Sequence, residues 1–401
     1  MKRLFGMLCI AFSLFLSAQV VTYEETVEET SKEGIILGNF IFSPSVEFVY
    51  ENKDNVFLTK SNEVEDQVYL LRPKLLFELP KEDSYLKFSW IPQYRDFQDI
   101  EIKENWSHFF NFEGRIKTPG GLELIAGDKY ILKGTLEVSE VDAGGELVFG
   151  LLPFDKNNLY FDMKYFLDST NGFGLNADYV DVSFDKPETG FEKFWYDYKR
   201  TEFGATYQRY MNPLLRMSAG LNFLTYDPEN IAPFRKYDGM DYYIKFYGDF
   251  TPTVNASIKL GYEDLDFDGA KDYKDWNARA ELIWNFSGNR NLTTSILRQG
   301  FPSNYGYAGS YTHNSINLTY NFNFGEKFFS ALGAGFGKND YNSISRVDDW
   351  WEGRFNIGYH FNPLMSVRFN YLYQDRNSNE DCFQGCDYKA STYLLNFIIG
   401  Y

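Results

Sequence analysis

The sequence predicts an all-β protein: a transmembrane antiparallel up-and-down β-barrel of about 18 strands, within 16–20, with short turns at one end and longer loops at the other. Three observations carry this. Segments from Phe40 onward alternate apolar and polar residues with period two, the signature of strands with two different faces. The chain is 19% aromatic yet has a mean hydropathy of -0.40, which suits strands with interfacial aromatic girdles and excludes a bundle of membrane helices. The last stretch, TYLLNFIIGY, places Tyr393, Leu395, Phe397, Ile399 and Tyr401 on one face and then stops. A final strand without a polar tail has its edge covered if it closes onto the first.

The leader comes first. Lys2 and Arg3 precede an apolar run from Leu4 to Leu16, then Ser17-Ala18-Gln19. Residues 1–18 are expected to be a signal peptide cleaved after Ala18, which implies export to the outer membrane of a diderm, Gram-negative cell. Residues 19–38 are an acidic, aperiodic segment, expected to be a periplasmic tail, and 39–401 form the barrel. A net charge of -17 argues against nucleic acid as a partner. Cys382 and Cys386 are the two cysteines beyond the leader. In an exported protein they are expected to form a local disulfide, with two free thiols as the alternative.

Turns mark the strands. Pro, Gly, Asn and Asp cluster at 80–84, 118–121, 153–157, 211–215, 251–254, 287–291, 324–328 and 361–365. Longer polar segments lie at 54–65, 98–103, 134–139, 170–197, 226–236, 266–273, 299–307, 340–349 and 377–388. Eight turns and nine loops give 8 + 9 + 1 = 18 strands. The loop at 170–197 is the longest, and its piece GLNADYVDVSF alternates by itself. Pro44, Pro73 and Pro92 fall within strands, where each is expected to mark a bulge or a strand end.

The faces follow strand by strand. Leu86, Phe88, Trp90 and Tyr94 oppose Lys87, Ser89, Gln93 and Arg95; Trp276, Leu282, Trp284 and Phe286 oppose Asn277, Arg279 and Glu281. A barrel in lipid turns the apolar set outward and the charged set into its lumen. The lumen face is then expected to include Arg72, Lys87, Arg95, Arg115, Glu113, Arg279, Glu281, Arg354 and Arg368, with charges of both signs in rough balance. Tyr243, Tyr247, Tyr311 and Trp350 share that face and are candidates for stacking a sugar ring.

The stretches SPSVEFVYENKDNVFLT, VYLLRPKLLFEL, YLKFSWIPQYRDF and ENWSHFFNFEGRIKT resemble the start of the putative beta-barrel porin family, often encoded with exopolysaccharide-secretion genes. The resemblance covers roughly 40–401 and is sharp over the first four strands. It implies a barrel and assigns no catalytic or binding residue. The ending resembles the signal that the barrel-assembly machinery reads, so that machinery, outer-membrane lipid and lipopolysaccharide are the expected partners.

His108 shares the lipid-facing set with Trp106, Phe110 and Phe112. His313 and Ser315 in YTHNSIN resemble the His-x-Ser of outer-membrane phospholipases, but Ile316, Leu318 and Tyr320 make the opposite face the lipid side. With Asn321 and Asn323 nearby but no orienting partner evident, enzyme activity is not expected. The acidic runs at 61–66 and 264–269 read as solvated loops; no metal and no cofactor is expected. The expected function is a channel for hydrophilic, saccharide-like solutes. Alternatives are an export port for exopolysaccharide working with separate polysaccharide-secretion proteins, and a structural or adhesive barrel with a closed lumen.

Overall fold

In the computed structural model the described residues are 34–102, 105–135, 153–185, 197–228, 236–303, 309–380 and 387–400. The leader, most of the acidic tail, Cys382, Cys386 and Tyr401 lie outside them. The strands are β1 (Ile35–Leu37), β2 (Phe40–Lys53), β3 (Asp66–Lys81), β4 (Ser84–Phe97), β5 (Trp106–Lys117), β6 (Leu122–Thr135), β7 (Pro153–Phe166), β8 (Asn171–Phe184), β9 (Tyr198–Tyr210) and β10 (Leu215–Pro228). They continue with β11 (Tyr237–Thr251), β12 (Val254–Phe267), β13 (Tyr273–Ser287), β14 (Arg290–Pro302), β15 (Ser310–Phe324), β16 (Phe328–Tyr341), β17 (Val347–Asn362), β18 (Met365–Ser378) and β19 (Tyr388–Gly400).

Each strand from β2 to β19 pairs antiparallel with the next. β19 then closes onto β2, from Thr392↔Lys53 to Gly400↔Ser45. The result is a closed ring of eighteen strands, as the turn pattern predicts. Closure leaves no edge strand in the membrane-height part of the sheet. Beyond Gly400 the free edge of β2 is taken by β1, which folds back at Gly38 (φ 67°) and pairs Ile36 with Ile41. The end of the acidic tail is therefore already sheet.

The assignment between 122 and 210 needs correction. Pro153–Asn157, expected as a turn, opens β7; the tight reversal is at 167–170. There the Asp168 carboxylate accepts the backbone N–H groups of Thr170 and Asn171 at 2.6 and 2.7 Å, a side-chain-closed turn. Half of the expected loop at 170–197 is β8, whose self-contained alternation was a strand's.

The prolines make no bulges. Pro44 sits in unbroken register opposite Leu75. Between Leu71↔Tyr94 and Leu75↔Trp90 the ladder is interrupted without a shift, which sets Pro73 opposite Pro92. Two residues without N–H groups face each other, so the missing bonds coincide in one gap. Register shifts on β11, β13 and β17 lie next to short turns, and one on β6, between Ile131 and Gly134, lies at the long-loop end.

Candidate functional site: the lumen wall

All thirteen predicted lumen residues lie on the inward face. The outward parity is set on β4 by exposed Leu86 and Phe88, on β11 by Tyr242 and Ile244, on β13 by Leu282 and Trp284, and on β18 by Phe369. On β19, Tyr393, Leu395 and Ile399 are exposed outward, as the ending predicts. His108 is on the outer face against Trp106 and Phe110, with its ring accepting the Trp90 indole N–H.

Two stretches of the inner wall differ in chemistry. Across the closing seam runs a chain of hydrogen bonds through six strands. Arg72 donates Nε to Gln93 at 2.6 Å and Nη1 to Glu47 at 3.4 Å. Asn396 donates to the other Glu47 oxygen at 2.7 Å, Asn370 donates to Asn396 at 3.3 Å, and Asn356 donates to Asn370. The chain thus passes from β4 through β2 and β19 to β17 and contains one ion pair.

The wall from β9 to β13 is built of charges and phenol rings. Register places Lys245, Lys259 and Arg279 side by side on β11, β12 and β13. Lys259 donates to Asp241 at 2.6 Å, and Asn277 donates to the other Asp241 oxygen at 2.7 Å. The Lys259 ammonium stands 4.5 Å from the Tyr243 ring centre; Arg216 and Lys245 stand 5.3 and 5.2 Å from that of Tyr247. Tyr243 reaches Thr206 at 2.9 Å, and Tyr247 donates to Gln208 at 3.1 Å. Glu113 similarly takes the hydroxyls of Tyr85 and Tyr160, while Lys87 pairs with Glu78 and Arg115 with Glu123.

Glycines decide how these rings lie. A Cβ at Gly220 would stand 2.6 Å from the Tyr243 ring; one at Gly127 would stand 2.3 Å from Tyr160, and one at Gly337 the same distance from Trp350. Each ring lies over the glycine opposite it on the neighbouring strand, flat to the wall, which only a residue without Cβ allows. Sequence alone does not show this, because the glycine and its ring are far apart in the chain. Tyr311 is different: it is 0% exposed, wedged with Phe301 and Tyr341, and has no free face to offer a solute.

The mouth at the long-loop end is partly filled. Val56 and Leu58, in the loop after β2, are buried. Val56 packs with inward Val49, Val68, Leu70 and Leu394; Leu58 packs with Tyr388 and Ala390. Asn55 fixes this loop by donating to the carbonyls of Thr59 and Lys389, and Lys60 pairs with Asp387 at 2.8 Å. Asp66, expected in a solvated run, is buried and accepts the N–H groups of Asp99 and Ile100 from the next loop. In the second acidic run, Asp264 and Asp266 both hold Lys274.

His313 and Ser315 do face the lumen, 3.0 Å apart. The orienting group comes from β16: His313 Nδ1 lies 2.7 Å from Asn339 Oδ1, whereas Asn321 donates to Asn291. Register pairs His313 with Asn339, a relation sequence spacing does not display. Nucleophile, base and amide are in a hydrogen-bonded line. However, His313 and Asn339 are 1% and 0% exposed, and the Trp350 ring stacks on the imidazole. Both imidazole nitrogens are engaged inside the wall, while Asn339 Nδ2 is left without a partner among the described residues.

Residues 246–399 match the model of the family described as Putative beta-barrel porin 2. The match runs from within β11 into β19, away from the first four strands on which the sequence resemblance is sharpest. The fold is similar to crystal structures of outer-membrane barrels. Pseudomonas aeruginosa OpdK, solved with vanillate, is 12% identical with a TM-score of 0.51, over 92% of this chain and 100% of that one. Acinetobacter baumannii OccAB4 is 12% identical with a TM-score of 0.52, over 90% and 98%. Pseudomonas aeruginosa OpdQ is 13% identical with a TM-score of 0.51, over 92% and 100%. At such identities the likeness is one of fold. No curated protein matches the sequence.

Proposed function

We propose that this chain is an outer-membrane channel passing hydrophilic solutes, saccharides among them. The observation that carries the reading is the inner wall: polar and charged along strand after strand, with phenol rings flat on glycines. An eighteen-strand ring is too wide for side chains to fill its interior. A flat ring with one face to the lumen suits the apolar face of a pyranose, and the neighbouring amides and charges suit its hydroxyls. The assembly machinery inserts the barrel through the face that ends β19, with lipopolysaccharide and lipid around it.

Reconstitution tests this. Purified protein in a planar bilayer should give discrete ionic conductance, and proteoliposomes should swell in neutral mono- or disaccharide. Because the wall's charges are largely paired, selectivity between small cations and anions should be modest at high salt. At 0.01 M salt, where the Debye length is about 30 Å, the acidic loops should add cation preference. An inserted barrel that neither conducts nor admits sugar, even with the loop at 54–65 loosened, would overturn the channel reading in favour of a closed structural barrel or an export port needing partners.

A further inference from the structure

An acidic residue interrupts the apolar outer face on β6. On β6 the inward positions are Ile125, Gly127 and Lys129; Gly127 lies beneath the Tyr160 ring, and the Lys129 ammonium is 5.9 Å from that ring's centre. Asp128 therefore points outward. Its register partners are Phe112 on β5 and Leu159 on β7, each 46% exposed on the lipid face. Asp128 is six positions from Leu122 at the short-turn end of β6. At about 3.3 Å per residue and a tilt of about 40°, that is about 15 Å up a lipid-facing band about 25 Å tall.

The carboxyl is without a partner among the described residues: Oδ1 is shielded and makes no hydrogen bond. The same holds for Oδ1 of Asn157, diagonal to it on β7. Going along the register from Asp128, the outward positions are Leu159, Tyr179, Thr201, Thr225 and Asp238. Asp238 is next to the long-loop end of β11, so this row of mainly polar groups descends from the rim to mid-band, with Asp128 its deepest member. Beside Asp128 the wall is shallow: Gly114 and Ala126 face each other across β5 and β6.

We infer that the outer face of β5–β7 is where a second copy of this chain docks, with Asp128 at its centre. An acidic side chain in hydrocarbon must neutralise or find a partner. Two copies in one membrane share an orientation, so a twofold axis along the membrane normal preserves depth. It therefore brings each residue near the axis against its own counterpart. Two carboxyls so placed can donate to and accept from each other, sharing protons, which makes this group self-complementary without any cation. Gly114 and Ala126 let the two walls approach, as small residues do between membrane helices. Phe112, Leu159 and Phe161 supply the surrounding apolar contact. The inference depends on the barrel lying in a membrane and not on what passes through it.

Cysteine cross-linking in isolated membranes tests it. Ala126→Cys, outward beside Asp128 on β6 and with the carboxyl kept, should give a linked dimer with a short bifunctional thiol reagent, since symmetric cysteines close to the axis lie within its span. Leu282→Cys, outward on β13, and the unsubstituted chain supply the background. In detergent, the mass by sedimentation should be that of a dimer, retained in Asp128→Asn, whose amides also pair with each other, and reduced to monomer in Asp128→Leu. Heat-modifiable mobility confirms the fold of each variant. Monomeric unsubstituted protein, or cross-linking of Ala126→Cys no greater than background, would overturn the proposal and leave local thinning of the bilayer around β6 as the account of Asp128.

Discussion

The two stretches of inner wall solve the same problem differently. The seam from β4 to β17 links its buried amides in a single line around one Glu47–Arg72 pair. The wall from β9 to β13 uses charges with several partners each: Lys259 has both the Asp241 carboxylate and the Tyr243 ring, and Asp241 has both Lys259 and Asn277. A line is specific and fragile, because each group depends on its neighbour. A mesh tolerates loss and keeps charge in contact with the lumen. The seam joins the two ends of the barrel, where register has to be unique; the other wall is where a solute finds rings and charges.

The largest expected effect is on the lipid side of the seam. Phe397→Asp, or deletion of Tyr401, should stop membrane insertion, because it alters the face that closes the barrel. Normal heat-modifiable, protease-resistant barrel from both would show that assembly does not depend on that face.

On the lumen side of the seam, Glu47→Ala removes two acceptor contacts and leaves Arg72 with Gln93 alone. The expected loss is about 3 kcal/mol or more in reversible unfolding in detergent. Asp241→Asn in the opposite wall should cost only about 1 kcal/mol, as a mesh predicts. Equal losses would erase the distinction between the walls.

Gly220→Ala should cost about 1–3 kcal/mol by driving the Tyr243 ring off its seat. It should also change sugar-induced current noise while leaving the seam intact. Loosening the mouth, with Val56→Asp or Leu58→Asp, should raise conductance if the loop narrows the path. Removing 172–195 would be a different experiment, since that stretch contains nearly all of β8.

The smallest effect concerns pH. Hydrogen bonds from Asn171 and Thr170 hold the Asp168 carboxyl well below the usual carboxylate range. A depressed pKa in the fold adds stability above the ordinary pKa, lost as pH falls through the folded one. Asp168→Ala should remove that slight increment at neutral pH and leave stability at the acid end nearly unmoved, so the acid dependence of unfolding flattens.

The face of each strand was legible in the sequence because it depends on period two, a property of consecutive residues. That is why Arg72, Glu113, Arg279 and Arg368 could be placed inward, and Leu395 and Ile399 outward, without coordinates. Strand number was legible from turn residues, but the boundaries from 122 to 210 were not. Pro153–Asn157 has turn composition yet pairs as strand, while the turn at 167–170 is closed by a single Asp side chain. What only the tertiary structure decided is what lies opposite what. Asn339 beside His313, Gly220 beneath Tyr243, Pro73 across from Pro92 and Val56 inside the mouth are all relations between strands or loops. They are set by register and closure, and a one-residue slip in pairing would change every one of them while leaving the sequence pattern within each strand the same.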